Sequence, residues 1–477
     1  MYFSENLVCG NPQSEVAIIT LWTPVKNIVD KIDSNLFCIA GQLYSRDGIN
    51  YIIRNILANP SIHYLIVCGK EISGSGKALI DFFQKGFDEN YKILNNEFAF
   101  LHKEIPKDTL NLVRKNVQVK NLIGISEPEK IIKEIKTCLA FGKPFAKPQI
   151  FPESKGKKTL ALPHEESVFK IQGKHIGPVW LRILNLILRF GEVSESWYGN
   201  KVSELFNIAA TITDEDPFSP KIFPYFQTNK EDIKKYQENI MSGDRGDEIY
   251  TYGERLWNYK GINQVNDVII PFLKKYPNDR AALAITFDMT RDHKAPRSPC
   301  MCLVQATTLG NKLNLTAYFR SHAIFSGWVL NAFGLRRLQA HIAKELSKKI
   351  GSLTIFSNCA HIYDNEWQMA QELIEQYLPK RIEKYSLDPR GYFVISTEGK
   401  EIVAKLFSPQ GVFLEEFRQD GIAEKAAISL YQKLLAANAL SLLSHAFDLG
   451  AELQKAEIAL KYNLKYIQDQ PLIFPKK

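Results

Sequence analysis

What this chain is short of narrows it first. Its 477 residues hold seven cysteines, Cys9, Cys38, Cys68, Cys138, Cys300, Cys302 and Cys359, odd in number and spread without a framework. That usage excludes a disulfide-stapled scaffold and points to a reducing compartment, the cytoplasm. No hydrophobic run reaches the ~20 residues of a membrane span. The most apolar segment, VWLRILNLILRF, is cut by Arg182 and Asn185 and reads as an amphipathic helix on a core. The start, MYFSENLVCGNPQSE, lacks the basic and apolar regions of a signal peptide. There is no internal repeat and no low-complexity tract.

A block of one charge is missing too. Sixty Lys and Arg against 52 Asp and Glu give +8, but the cations are scattered with no Arg-rich stretch. Such a surface suits anionic small molecules, and nucleic acid is not the expected partner. With 45% hydrophobic and 23% charged residues the chain is expected to fold throughout, and its length calls for several domains.

The expected class is α/β and α+β, multidomain. Residues 1–145 alternate strand and helix (SEVAIITLW, GINYIIRNILANP, IHYLIVCGK, GKALIDFFQKGF), the pattern of a small, largely parallel α/β domain. Residues 146–164, rich in Pro, Gly and Lys, read as a linker. Residues 165–385 read as an α+β domain with a large sheet; in KLNLTAYF, Leu313, Leu315, Ala317 and Phe319 alternate as a one-sided buried strand requires. A helix with Leu335, Leu338, Ile342 and Leu346 on one face follows. Residues 386–477 read as a small α+β domain, strands first and helices from about 421 to 462.

The Gly-rich CGKEISGSGKAL follows a strand and precedes a helix, where phosphate loops sit, but Gly74 is followed by Ser75 and Lys77 by Ala78. A tight strand-to-helix turn is the better reading, with helix amides still able to hold an anion. The stretch APRSPCMCLVQ places Cys300 and Cys302 one residue apart. Zinc would need a second close pair, and Cys359 with His361 matches no zinc spacing, so no metal is expected. A buried core pair and a nucleophile with a bystander both remain open on spacing alone.

What lies downstream adds a family resemblance. RAALAITFDMTRDHKAPRSPCMCLVQATTLGNKLNLTAYFRSHAIFSGWVLN, with YTYGERL before it and LNAFGLRRLQ and AHIYDNEW after it, resembles the core of thymidylate synthases, especially the short archaeal type, over about 165–370. The resemblance implies that Cys300 is the nucleophile, adding to C6 of a uracil ring so that C5 can accept carbon. It implies Tyr252 near the C5 proton, and Arg320, Ser321 and Arg280 as phosphate ligands, Arg280 lent across a homodimer. Asn331 matches the residue that reads the pyrimidine edge, where cytosine-acting relatives carry a carboxylate, and His361 and Tyr363 match the pair on the sugar hydroxyl. The implied substrates are a uracil deoxynucleotide, deoxyuridylate, and a one-carbon donor, methylene-tetrahydrofolate or methylene-tetrahydromethanopterin.

Three departures stand out. The family's pterin-holding Asp is Ala323, the second Arg of its adjacent pair is Ala281, and its phosphate loop corresponds to SESWYGNKVSEL, offering Trp197, Tyr198 and Lys201. His322, Asp292 and Glu238 are candidates to replace the missing carboxylate. Residues 36–125 resemble the A subunit of tetrahydromethanopterin S-methyltransferase, a cobamide carrier, but the Gly-His stretch after CGKE is shortened to SGSG, so cobamide is not expected. The C-terminal part resembles a domain of unknown function on archaeal dihydropteroate-synthase-like proteins. The leading reading is a C5 methyltransferase; the alternatives are a hydroxymethylase that captures water and a binding protein without turnover.

Overall fold

A computed structural model describes residues 7–96, 98–152, 161–196, 201–295, 297–379 and 387–475. By contact density the chain divides into Met1–Leu378 and Pro379–Lys477. Among the described residues no helix is long and apolar enough to cross a membrane, and no group of three or more His, Cys, Asp or Glu could hold a metal ion.

The first α/β layer runs β1 (Val8–Cys9), β2 (Val16–Ile19), α1 (Val25–Val29), β3 (Ile39–Gly41), α2 (Gly48–Ala58), β4 (Tyr64–Gly69), α3 (Ser75–Lys85), α4 (Lys107–Asn116), β5 (Gln118–Ile123) and α5 (Pro128–Ile135). All six residues of β4 are buried, as a strand covered on both faces requires. The sheet order is β1-β3-β2-β4-β5, parallel except for β1. Since β3 and β4 flank β2 on opposite sides, the order reverses at β2. The loops beyond the carboxyl ends of β2, β3 and β4 are therefore where an open α/β sheet forms a crevice.

The central domain comprises β6 (Phe169–Gly173), α6 (Ile176–Phe190), β7 (Glu192–Glu195), β8 (Lys201–Ile212), α7 (Lys230–Ile240), α8 (Tyr252–Trp257), α9 (Ile270–Lys275), β9 (Leu283–Ile285), β10 (Met301–Leu309), β11 (Lys312–Ala323), α10 (Trp328–Glu345), β12 (Lys349–Tyr363) and α11 (Trp367–Tyr377). The sheet order is β6-β8-β12-β11-β10-β9, with β7 on β8. Leu313, Leu315, Ala317 and Phe319 of β11 are wholly buried in one core with α6 and α10, the alternation the sequence shows. Burying that face pins the register, since a slip of one residue would turn all four to solvent. At the carboxyl end of β11 the wholly buried Trp180 of α6 donates Nε1–H to the Ile324 carbonyl at 2.7 Å.

The C-terminal unit is an antiparallel sheet, β13 (Tyr392–Glu398), β14 (Glu401–Phe407) and β15 (Phe413–Asp420), with α12 (Ala426–Ala436) and α13 (Leu443–Lys461). Its hub is the buried Asp388. The carboxylate accepts from the Arg390 N–H at 3.0 Å, the Ser441 N–H at 2.9 Å, the Ser441 hydroxyl at 2.6 Å, the Leu442 N–H at 3.1 Å and His445 Nδ1 at 3.2 Å. Burial opposes ionisation, but the bonds from Ser441, Arg390 and His445 prevail and hold the carboxyl well below its usual range. Asp388→Ala strands these donors and is expected to lower local stability by about 2–4 kcal/mol. Faster hydrogen exchange at the Ser441 and Leu442 amides reads it. In the native chain this contribution is present above the ordinary Asp pKa of ~3.9 and is lost as pH falls through the depressed folded value.

Candidate functional site

Cys300 sits at the entry to β10, half-buried against the central core. Its carbonyl accepts from the Arg320 N–H at 2.9 Å, which fixes the cysteine beside β11. Burial pushes the thiol above its ordinary value, and the Arg320 guanidinium pulls in the other direction. Arg320 is fastened to the turn before the cysteine: Nε donates to the Pro299 carbonyl at 3.0 Å and Nη2 to Ser298 Oγ at 2.7 Å. The Tyr252 hydroxyl, at the start of α8, accepts from the Met301 N–H at 3.2 Å, and burial raises its pKa well above that of a free phenol. Cys302, two residues on, places its sulfur 3.7 Å from the Cys300 carbonyl and takes a hydrogen bond from the Arg320 backbone, beside a bulge at Met301/Leu303.

Asn331, one turn into α10, is held on both sides. Tyr236 of α7 donates its hydroxyl to Asn331 Oδ1, and Asn331 Nδ2 bonds His322 Nε2 at 3.0 Å. His322 Nδ1 bonds Ser357 Oγ at 2.9 Å, and the imidazole stacks on Phe319 with ring centres 3.9 Å apart. Burial, with His361 adding, pulls the His322 pKa down to about 3, so the ring is neutral. A neutral imidazole has one N–H and one lone pair, which matches Ser357 on one side and the Asn331 amide on the other. The chain Tyr236–Asn331–His322–Ser357 thus orients the amide and leaves it one donor hydrogen and one acceptor lone pair. Tyr236→Phe removes the bond to Oδ1 and is expected to raise the nucleotide KM by about three- to tenfold, against a smaller change in kcat. A KM that does not move would show the amide oriented without Tyr236.

The remaining sequence-predicted residues divide. Ser321 lies on β11 opposite Cys359, and His361 and Tyr363 close β12 with their rings 5.0 Å apart, so both lie at the end of the sheet where Cys300 enters β10 and Arg320 nears the carboxyl end of β11. Arg280 does not join them. It is exposed just before the edge strand β9, and its carbonyl accepts from Gln305 Nε2. Trp197 and Tyr198 lie outside the described residues, and Lys201 begins β8.

None of the three substitutes for the carboxylate absent at Ala323 is free for that task. Asp292 is buried in an ion pair with Arg255 Nη2 at 2.7 Å, Glu238 is an exposed side chain on α7, and His322 is committed to Asn331 and Ser357. The carboxyl near Ala323 is one the sequence did not single out. Glu366 Oε2 accepts from the Tyr363 N–H at 3.2 Å and takes a further hydrogen bond from Ser326. Burial raises Glu366 to about 8. Tyr236 was equally hidden, a lone aromatic in the polar run KEDIKKYQENI with no pattern to mark it.

Comparison with known proteins fits this geometry. A "Putative thymidylate synthase" of Methanosarcina barkeri is 32% identical over 206 residues, covering 43% of this chain and 94% of the relative. The chain belongs to the thymidylate synthase family. Relatives with the same name from Methanothermobacter thermautotrophicus and Methanocaldococcus jannaschii are 31% and 30% identical over 220 residues, covering 43% and 44% of this chain and 99% and 96% of their own lengths. The thymidylate synthase family model matches residues 202–397. The model for the A subunit of tetrahydromethanopterin S-methyltransferase matches residues 3–146, and PterinBD-DUF4346 matches 387–469. The synthase region therefore stands between two others that the archaeal relatives do not share.

The N-terminal region does not fit a histidine-ligated cobalt. The loop Lys70–Gly76 after β4 has no histidine; His63 and His102 are spent on Glu15 and on Asp47 with Arg54. Nor are all the amides at the start of α3 open to an anion. Glu71 folds back so that its carboxylate accepts from the Gly74 N–H at 2.9 Å and the Lys77 N–H at 3.1 Å, while Gly74 takes a left-handed φ of 73°. This is the tight turn the sequence suggests, with its own side chain in the anion position.

Proposed function

We propose that this protein is a pyrimidine C5 methyltransferase of the thymidylate synthase type, acting on a uracil deoxynucleotide with a methylene-pterin as donor. The observation that carries the reading is the placement of the Cys300 thiol between a guanidinium and a buried phenol, beside an amide whose free donor and acceptor complement the N3–H and O4 edge of uracil.

Chemically, the Cys300 thiolate forms a bond to C6, the C5–C6 electron pair moves toward C5 and O4, and C5 becomes the carbon nucleophile. Arg320 offsets the charge of the thiolate, and its Nη1, without a protein partner among the described residues, is the group left for a phosphate oxygen. Tyr252 stays protonated and lies where the C5 proton must leave; His361 and Tyr363 bind the sugar hydroxyl. The donor supplies one carbon and a hydride and departs oxidised to the dihydropterin. The thiolate is released as the methyl group is completed.

Arg280 enters this reading through a second copy of the chain. The sheet face opposite the helices is open and carries Phe206, Phe356, Leu283 and Ile285, each more than a third exposed. Burying that face against a second copy would form a homodimer and bring an Arg280 to the neighbouring Arg320, which also lies on it.

Mass spectrometry of the products tests the reading, with deoxyuridylate and either methylene-tetrahydrofolate or methylene-tetrahydromethanopterin. A methyl gain that requires Cys300 supports it and identifies the donor. A hydroxymethyl product would transfer the final step to water, and nucleotide binding without product would sink methyl transfer altogether.

A further inference from the structure

The loop between β3 and α2 of the N-terminal domain touches three separate segments of the synthase domain with three neighbouring residues. The Tyr44 ring lies 4.1 Å from the Arg297 guanidinium, Arg46 Nη2 pairs with Asp232 at 2.7 Å, and Asp47 Oδ2 accepts from Asn365 Nδ2 at 3.2 Å. Arg297 lies three residues before Cys300, Asp232 one helical turn before Tyr236, and Asn365 two residues after Tyr363. Glu248, four residues before Tyr252, feels the charges of Lys70 from the N-terminal domain and of Arg297. The turn before Cys300, the first turn of α7 and the end of β12 are thus each held by the crevice end of the N-terminal sheet.

At the Asp47 end this seam gathers hydrogen-bond acceptors, with Asp47 already bonded by Asn50, His102 and Asn365. Asn365 Oδ1 is buried with no hydrogen-bond partner among the described residues. Beside it in sequence is Glu366, tied to Tyr363 and Ser326. Ser326 belongs to the turn in which the Gly327 N–H bonds the Ala323 carbonyl at 3.1 Å, the turn that launches α10 and Asn331. An orphaned buried acceptor is uncommon in a native fold and calls for a donor from outside the chain. Against burial, the bond from His102 holds the Asp47 carboxyl below its usual range, and that charge would repel a phosphate, so this end does not suit the nucleotide's tail.

We propose that the seam between Asp47 of the N-terminal domain and Asn365–Glu366 of the synthase domain binds the N–H-rich edge of a reduced pterin. A pterin presents a ring N–H and an exocyclic amino group in one plane; a carboxylate takes one hydrogen from each, and an amide oxygen takes the remaining amino hydrogen. Glu366, neutral at rest because burial raises it to about 8, gives up its proton to solvent on taking the first two hydrogens; Asn365 Oδ1 takes the third, and Asp47 holds Asn365 in place as a positioning residue. The N-terminal domain is then a wall of the synthase site. This inference rests on the pterin-dependent reading above.

Calorimetry on the full chain tests it without turnover, using tetrahydrofolate and tetrahydromethanopterin with deoxyuridylate saturating. One of the two should bind the native protein. Glu366→Gln should weaken it by roughly ten- to a hundredfold, the loss of a charge-assisted pair, with Glu366→Asp restoring part. Asn365→Ala and Asp47→Asn should weaken it less, and the dissociation constant for deoxyuridylate alone should change less than about twofold in all four variants. Binding of neither pterin, equal affinity in native and Glu366→Gln proteins, or parallel loss of deoxyuridylate would each overturn the assignment. Pterin binding that depends on Glu366 without any product would retain the seam and reject methyl transfer, so the two failures are distinct.

Discussion

Cys300→Ser is expected to leave the chain folded and able to hold deoxyuridylate while reducing product formation by at least about 10⁴-fold. A serine hydroxyl at this position has the right size but stays protonated at any pH the protein survives. The native thiol titrates, and the direction is set. Burial raises its pKa and Arg320 only partly offsets that, so the thiolate is a minor species at neutral pH. Alkylation of Cys300 by iodoacetamide should therefore speed up by roughly tenfold per pH unit from neutrality until the pH passes the thiol's pKa. Cys302 and Cys359 offer internal contrasts. Cys359 is pushed up to about 12 by burial and its bond to Glu204 at 2.8 Å, and should react far more slowly. A Cys300→Ser protein that still forms product would sink the covalent mechanism.

Arg320→Met should produce the second large effect, a fall of about 10²–10³-fold in kcat/KM for the nucleotide. Three losses combine there. The thiol loses the one nearby cation that lowers its pKa, the Ser298–Pro299 turn loses its clasp, and a phosphate loses its fork. Arg320→Lys separates them, because lysine retains the charge without the planar geometry. It should restore much of the alkylation rate at Cys300 but little of the nucleotide affinity. If both variants bind deoxyuridylate as the native chain does, the phosphate lies elsewhere.

Much of this architecture was legible because it is written in periodicity. The six-residue apolar run of β4, the alternation of β11 and the three-and-four spacing of α10 each state a burial pattern, and burial determines the element. The thiol, the guanidinium and the Asn331 amide were legible differently, through short motifs in fixed order. Tyr236, Asn365 and Glu366 were not. Each matters through a partner distant in sequence, Asn331 for Tyr236 and Asp47 for Asn365, and no local pattern encodes a meeting across 95 or 318 positions. The proposed substitutes for the missing carboxylate failed for the same reason. Asp292 looks available in sequence, yet Arg255, 37 positions upstream, has already claimed it.

The Glu71 carboxylate on the first amides of α3 is a tethered ligand, present at the high effective concentration that a three-residue leash enforces. Any free phosphate or nucleotide tail must compete with it and, to win, must also desolvate the glutamate it evicts or leave it stranded. The Gly-rich turn therefore behaves as a plugged socket, and it is the neighbouring loop with Tyr44, Arg46 and Asp47 that meets the synthase region instead.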